Sequence, residues 1–250
     1  MKDNKKHPSK KILGIVGIRS GSVGVPHKNI KYISGKPLIG WILLKAIQSK
    51  YINRLIVSTD SINYAEIAKE YGAEIPCLRP KELAKNNSPE VDYVKHMLNH
   101  LKKQENYIPD IVVRMMATIP LQSTEDIDSV IEKLIMEKEA DSAVVISEAR
   151  QHPEKALKII TDNKGIKKLV TYFSESGREV TPIARQNYEK AYFRGNIIAC
   201  RYDIIFKTNS LTGDLVKYHI IPQERAIDID NEIDFLICEN LMSNKDTESI

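Results

Sequence analysis

Cysteine is scarce, with three residues in 250, at Cys77, Cys200 and Cys238. Their odd number and wide spacing argue against a disulfide framework or a zinc site and fit buried, reduced thiols. No segment approaches the ~18 uninterrupted apolar residues of a membrane span. Two familiar nucleotide loops are missing. There is no Walker A run. The dinucleotide fingerprint also fails, because the first glycine spacing is wrong and Pro26 stands where its helix would run. The sequence has no internal repeat and no low-complexity tract. Charge of either sign is not in large excess: the net is +4, and part of it lies in the basic start MKDNKKHPSKK. Residues 1–10 read as a disordered basic tail. The remaining body is close to neutral, which gives no footprint for nucleic acid. The apolar stretch after the tail is too short for a secretory signal, and Arg19 ends it without a small-residue cleavage site. A cytoplasmic protein is expected.

The composition is otherwise that of a globular domain, 42% hydrophobic and 28% charged. Short apolar runs alternate with amphipathic stretches. Strands are expected at Ile12–Ile18, Arg54–Ser58, Ile111–Met116 and Ser142–Ile146. Helices are expected at Pro37–Ser49, Ser61–Tyr71, Pro89–Lys103 (with Ser88 as cap) and Glu125–Lys138. This alternation predicts an α/β fold with a mainly parallel sheet covered on both faces. The pattern breaks after Glu148. Residues 149–192 carry two β-like pieces, Ala156–Ile160 and Leu169–Phe173, and read as an insertion. The sheet pattern resumes at Asn196–Arg201 and His219–Ile221, and a last helix runs from Glu232 to Met242. The main domain is thus expected over residues 11–148 and 193–243.

Two constellations carry chemistry. The first is Gly17–Ile30, GIRSGSVGVPHKNI, directly after the first strand. Glycines let backbone N–H groups approach a ligand, consecutive N–H groups make anion-binding concavities, and Arg19 and Lys28 supply charge for a polyphosphate. An ordinary glycine-rich turn is the bland alternative. The second is Ala226–Asp234, AIDIDNEID. Asp228 and Asp230 are two apart in a β-like run, so both carboxylates face one way and suit Mg²⁺ shared with substrate phosphates. Capping of the last helix by Asp230 is the alternative. Asp60, following a strand, could contact nucleotide or cap the helix after it.

At these residues the chain resembles the acylneuraminate cytidylyltransferases. Arg19, Gly21, Ser22, Gly24, Lys28 and Asn29 match the family's opening motif. GKPLIGW (Gly35–Trp41), VSTD (Val57–Asp60), AEIAKEYGAEIPCLRPKELA (Ala65–Ala84), HPEKALKI (His152–Ile159) and ERAIDIDNEID (Glu224–Asp234) match in the same order. The resemblance implies a Rossmann-like three-layer nucleotidyltransferase domain with an inserted dimerisation element at 149–192, and a homodimer. It implies transfer of CMP from CTP to the anomeric hydroxyl of a nine-carbon α-keto acid sugar, with Mg²⁺ and release of pyrophosphate. Carried over, Arg19, Gly21, Ser22, Lys28 and Asn29 would hold CTP, Arg79 would meet the leaving pyrophosphate, and Asp228 and Asp230 would bind the metal. Lys155, Arg185, Gln122 and Asn196 fall on the sugar side, the first two reaching a neighbouring subunit. An eight-carbon Kdo-type acceptor, or CTP binding without transfer, are the alternatives. The chain departs from the family pattern at Val23, where lysine is common, and at Met116 and Gln122 in MMATIPLQ, where glutamine and arginine are common. The first change removes a cation beside the triphosphate, and the second removes a polar amide from the sugar side, which points to a less polar or differently substituted nonulosonic acid.

Overall fold

A computed structural model describes residues 10–21, 24–173, 184 and 187–247. Ser22, Val23 and Arg185 lie outside the described residues. Strands β1 (Ile12–Gly17), β4 (Arg54–Ser58), β5 (Ile111–Met115), β6 (Ser142–Glu148), β9 (Tyr192–Arg201) and β10 (Val216–Ile221) form one sheet in the order β10-β6-β9-β5-β1-β4. All are parallel except β9, which pairs antiparallel with both β5 and β6. The short strands β2 (Tyr32–Ile33) and β3 (Lys36–Pro37) form a separate hairpin.

Both faces of the sheet are covered, as its nearly continuous apolar strands require. On one face β1, β4 and β5 pack against α1 (Leu38–Gln48), α2 (Ile62–Glu70), α4 (Thr124–Met136) and α6 (Glu232–Thr247). On the other, Leu13, Ile15 and Val112 meet α3 (Glu90–Glu105) and α5 (Tyr202–Thr208). Each fully buried aliphatic side chain in these layers stabilises the fold by about 1.5–3 kcal/mol. All three cysteines are free. Burial pushes the Cys200 and Cys238 thiols up to about 12, so both are inert hydrophobes at neutral pH. Among the described residues no helix is long and apolar enough to cross a membrane.

Several local expectations change. Helix α5 was not anticipated, and β10 begins three residues before His219. Ser88 does not cap α3; Pro89 holds that position, and the Ser88 hydroxyl donates to the Glu82 carbonyl at 3.0 Å. The acidic run is extended but belongs to no strand: Ile229 N–H donates to the Thr118 carbonyl at 2.9 Å without a continuing ladder, and the alternation survives, with Ile227 and Ile229 buried, Asp228 half-buried and Asp230 exposed. Between β6 and β9, strands β7 (Leu157–Thr161) and β8 (Lys167–Thr171) make an antiparallel hairpin outside the main sheet.

Candidate active site

Open parallel sheets bind ligands beyond the carboxyl ends of their strands. Here the loops after β1, β4 and β5 meet the acidic run at that edge. Because β9 is antiparallel, its amino-terminal half reaches the same edge, which places Asn196 beside the loop that follows Met115. A cleft of about 400 Å³ results, lined by Arg19, Lys28, Arg79, Glu90, Met116 and Asp228 among others.

The loop after β1 is fastened on both sides. Asp60 accepts from the Ser20 backbone N–H at 2.9 Å and from its hydroxyl at 2.6 Å. Burial opposes ionisation of Asp60, but the Ser20 bonds outweigh it and hold the carboxyl below its usual range. Capping of α2 falls instead to Ser61, whose hydroxyl accepts from Tyr64 N–H. The Asn29 amide donates to the Arg19 carbonyl at 3.2 Å, and the Arg19 guanidinium donates to Asn86 across the cleft. Gly24 lies directly under the Asp230 carbonyl oxygen, so any Cβ there would collide with it. Gly17 is pressed equally close to the Tyr93 ring.

Lys28 joins the two sequence constellations. Its Nζ donates to the Ile229 carbonyl and lies 3.2 Å from Asp230 Oδ1. Helix α6 is capped by Asn231, whose Oδ1 accepts from the Ile233 and Asp234 amides, while Asp234 Oδ2 accepts from Asp230 and Asn231 N–H. Asp230 is therefore not spent on capping, and its side chain is 77% exposed in the cleft.

Asp228 is more deeply set. Its Oδ2 accepts from the Asn196 amide at 2.9 Å, and that amide also donates to Thr118 Oγ1 at 3.1 Å. Burial raises the Asp228 pKa, with the Asp230 charge adding to it and Lys28 and the hydrogen bonds from Thr118 and Asn196 opposing. Asp228 Oδ1 is buried with no hydrogen-bond partner among the described residues. An orphaned carboxylate oxygen beside a second, exposed carboxylate suits a hard divalent cation that keeps other oxygens from phosphate and water. The residues present therefore fit Mg²⁺, although no group of three or more acidic, histidine or cysteine ligands occurs among the described residues.

Arg79 is buried on the cleft wall. Nε and Nη2 donate to the Ser58 hydroxyl and carbonyl at 3.0 and 2.7 Å, and the guanidinium stacks 4.1 Å over the Tyr93 ring. Burial pulls its pKa down, and the Arg19 charge adds to that. Two guanidinium groups facing one cleft call for an anion between them.

The remaining site residues scatter. Gly21 lies at the exposed rim of the loop, with open space around it. Gln122 is fully buried, and neither end of its amide has a partner among the described residues. Lys155 does not line the cleft; it sits in a turn over the Tyr188 ring. His152, beside it, caps this turn and stacks on Tyr188, which is a structural role. The sequence reading missed Glu90, Tyr93 and Asn86 on the cleft wall and Arg114 beneath it. The one signal for Arg114 was a charge inside the apolar run IVVRMM.

A glycine-rich loop, cationic side chains and a carboxylate pair around one cleft at the sheet edge define a nucleotidyltransferase. The chain belongs to the cytidylyltransferase family, whose model matches residues 13–235, and its relatives place it with the acylneuraminate cytidylyltransferases. It is 29% identical over 242 residues to post-translational flagellin modification protein B of Campylobacter coli, covering 95% of this chain and 97% of that protein. It is 28% identical over 233 residues to CMP-N,N'-diacetyllegionaminic acid synthase of Legionella pneumophila, covering 93% and 96%. It is 27% identical to N-acylneuraminate cytidylyltransferase of Escherichia coli, of which it spans 54%. The fold matches CMP:2-keto-3-deoxy-manno-octonic acid synthetase, solved with CTP, at a TM-score of 0.67 and 15% identity over 94% of this chain and 99% of that one.

Proposed function

We propose that the protein transfers CMP from CTP to the anomeric hydroxyl of a nonulosonic acid and releases pyrophosphate. The observation that carries this is the meeting of Lys28, Asp228 and Asp230 at one end of the cleft, with Asp228 Oδ1 left open, in a chain whose relatives carry CMP-sugar synthase names along its length. The acceptor hydroxyl attacks the α-phosphorus in line and the pyrophosphate leaves. Charge spreads over phosphate oxygens, so positioning and cation placement supply the catalysis and no nucleophilic side chain is needed. Lys28, Arg19 and the backbone N–H groups of the loop hold the triphosphate, and Arg79 on the cleft wall adds charge for the same anion. Asp228 and Asp230 would hold Mg²⁺, which when bound offsets phosphate charge and lowers the pKa of the attacking hydroxyl. We place the reaction in the cytoplasm, where CTP is made.

Met116 lines the cleft. A thioether there favours an acceptor with an apolar group at that point, such as a deoxygenated sugar of the legionaminic kind. Met116→Gln should shift the kcat/KM ratio toward N-acetylneuraminate by about tenfold or more. Competition between the two acids at limiting CTP measures this, and an unchanged ratio removes Met116 from acceptor choice.

We propose further that the protein is a homodimer through the β7–β8 hairpin. Leu157, Ile159 and Leu169 form a stripe on one face of it, and Ile159 is 71% exposed. Tyr172, Phe173 and Phe193 extend the exposed apolar surface. Such a patch marks an association surface. A dimer would also bring Lys155, and Arg185 by the family resemblance, to a neighbouring cleft. Ile159→Lys is expected to convert a dimer to monomers in sedimentation velocity, with activity lost in parallel; an unshifted dimer would move the interface elsewhere.

A further inference from the structure

Arg114 is an oddity of the sheet: a guanidinium on a central strand, 4% exposed, between Ile15 of β1 and Ile198 of β9. It makes two contacts, one from each terminal nitrogen. Nη2 lies 3.0 Å from Glu90 Oε2 at the start of α3, and Nη1 donates to the Asn196 carbonyl at 3.3 Å. Its Nε has no partner among the described residues. The Glu90 side chain is 41% exposed, and an ion pair with one partner open to solvent adds little to stability, so stability alone does not account for this one.

The Asn196 contact has a local cause. The ladder between β6 and β9 pairs Val144 with Ile198 and then Ile146 with Arg194, so the register slips opposite Val145 and Asn196 falls in the irregular stretch. Bulges leave backbone groups unpaired and re-aim side chains. Arg114 takes up the carbonyl there. The Asn196 side chain then spends both amide hydrogens, one on Thr118 Oγ1 and one on Asp228 Oδ2. With Oδ2 so held, Oδ1 is the oxygen left open.

We propose that Arg114 is a positioning residue: by clamping the bulged backbone at Asn196 against Glu90, it orients the Asn196 amide and through it the Asp228 carboxylate for a divalent cation shared with the nucleotide. The inference rests on the nucleotidyltransferase reading of this cleft. Outer residues that orient a ligand are worth ten- to a hundredfold in metal affinity when removed.

The test is Mn²⁺ binding to the protein–CTP complex, followed by the loss of the free Mn²⁺ paramagnetic resonance signal. Arg114→Met and Asn196→Ala should each weaken binding about tenfold or more, and the double variant should be no weaker than the worse single one, because both act on one carboxylate. Arg114→Lys, whose single ammonium cannot reach both partners, should fall between wild type and Arg114→Met, and it carries the measurement if Arg114→Met does not fold. A merely structural role would lower the melting temperature and leave Mn²⁺ affinity of the folded protein unchanged. Unchanged affinity in Arg114→Met or Arg114→Lys, or strictly additive losses, would overturn the inference. Failure of the wild-type complex to bind Mn²⁺ at all would instead remove the reading of the cleft itself.

Discussion

Asp228→Asn should lower kcat about a thousandfold while the melting temperature at neutral pH holds or rises. The two halves of this result have one cause. Burial raises the Asp228 pKa above its unfolded value. A carboxyl shifted in that direction stabilises the fold in acid, where it is protonated, and loses that contribution as pH rises through the folded pKa. Once ionised, the half-satisfied carboxylate is a cost that the fold carries for function. Asparagine keeps the shape and the side-chain oxygen for the Asn196 bond, and it removes the charge. Initial rates of pyrophosphate release and a thermal melt check both halves. A variant that loses several degrees and keeps its turnover would make Asp228 a structural residue.

Lys28→Met should reduce kcat/KM for CTP about a hundredfold, since a charge-assisted hydrogen bond contributes roughly 1.5–3 kcal/mol and this lysine serves two partners. Its side chain is only 14% exposed, and its Nζ joins the loop after β1 to Ile229 and Asp230. Nucleotide is expected to enter by taking Lys28 from Asp230, which leaves that carboxylate to the cation. Removing the lysine therefore weakens the phosphate contact and loosens the acidic run. Steady-state rates across CTP concentrations would show a raised KM with a lowered kcat. If both constants are unchanged, the triphosphate lies elsewhere in the cleft.

Much of the site was legible because it is local. The Gly17–Ile30 loop and the Asp228–Asp230 alternation are patterns of a few residues, and the periodic runs located five helices and most of the strands. The direction of β9 was not legible, because periodicity records which face a residue takes and not which way the strand runs. Yet that reversal is what carries Asn196 to the cleft. Helix α5 has seven residues, too few for a 3.6-residue period to stand out after a long strand. Whether Asp60 and Asp230 were caps could be decided only by distance, since Ser61 and Asn231, one residue along, are equally good cap residues and took the role. Glu90 and Arg114 are 24 residues apart in sequence and meet only because α3 packs over β5. Gln122 faced the sugar in the family comparison but lies fully buried, so its unpartnered amide is a feature of the loop interior rather than of the cleft wall.

The most direct measurement is pyrophosphate release from CTP with Mg²⁺ across a panel of acceptors: N-acetylneuraminate, a diacetylated legionaminic-type acid and Kdo. Turnover with a nine-carbon acid, best with the less polar one and negligible with Kdo, is the expected result. Folded protein that binds CTP and turns over none of the nine-carbon acids, or that turns over Kdo alone, would contradict it.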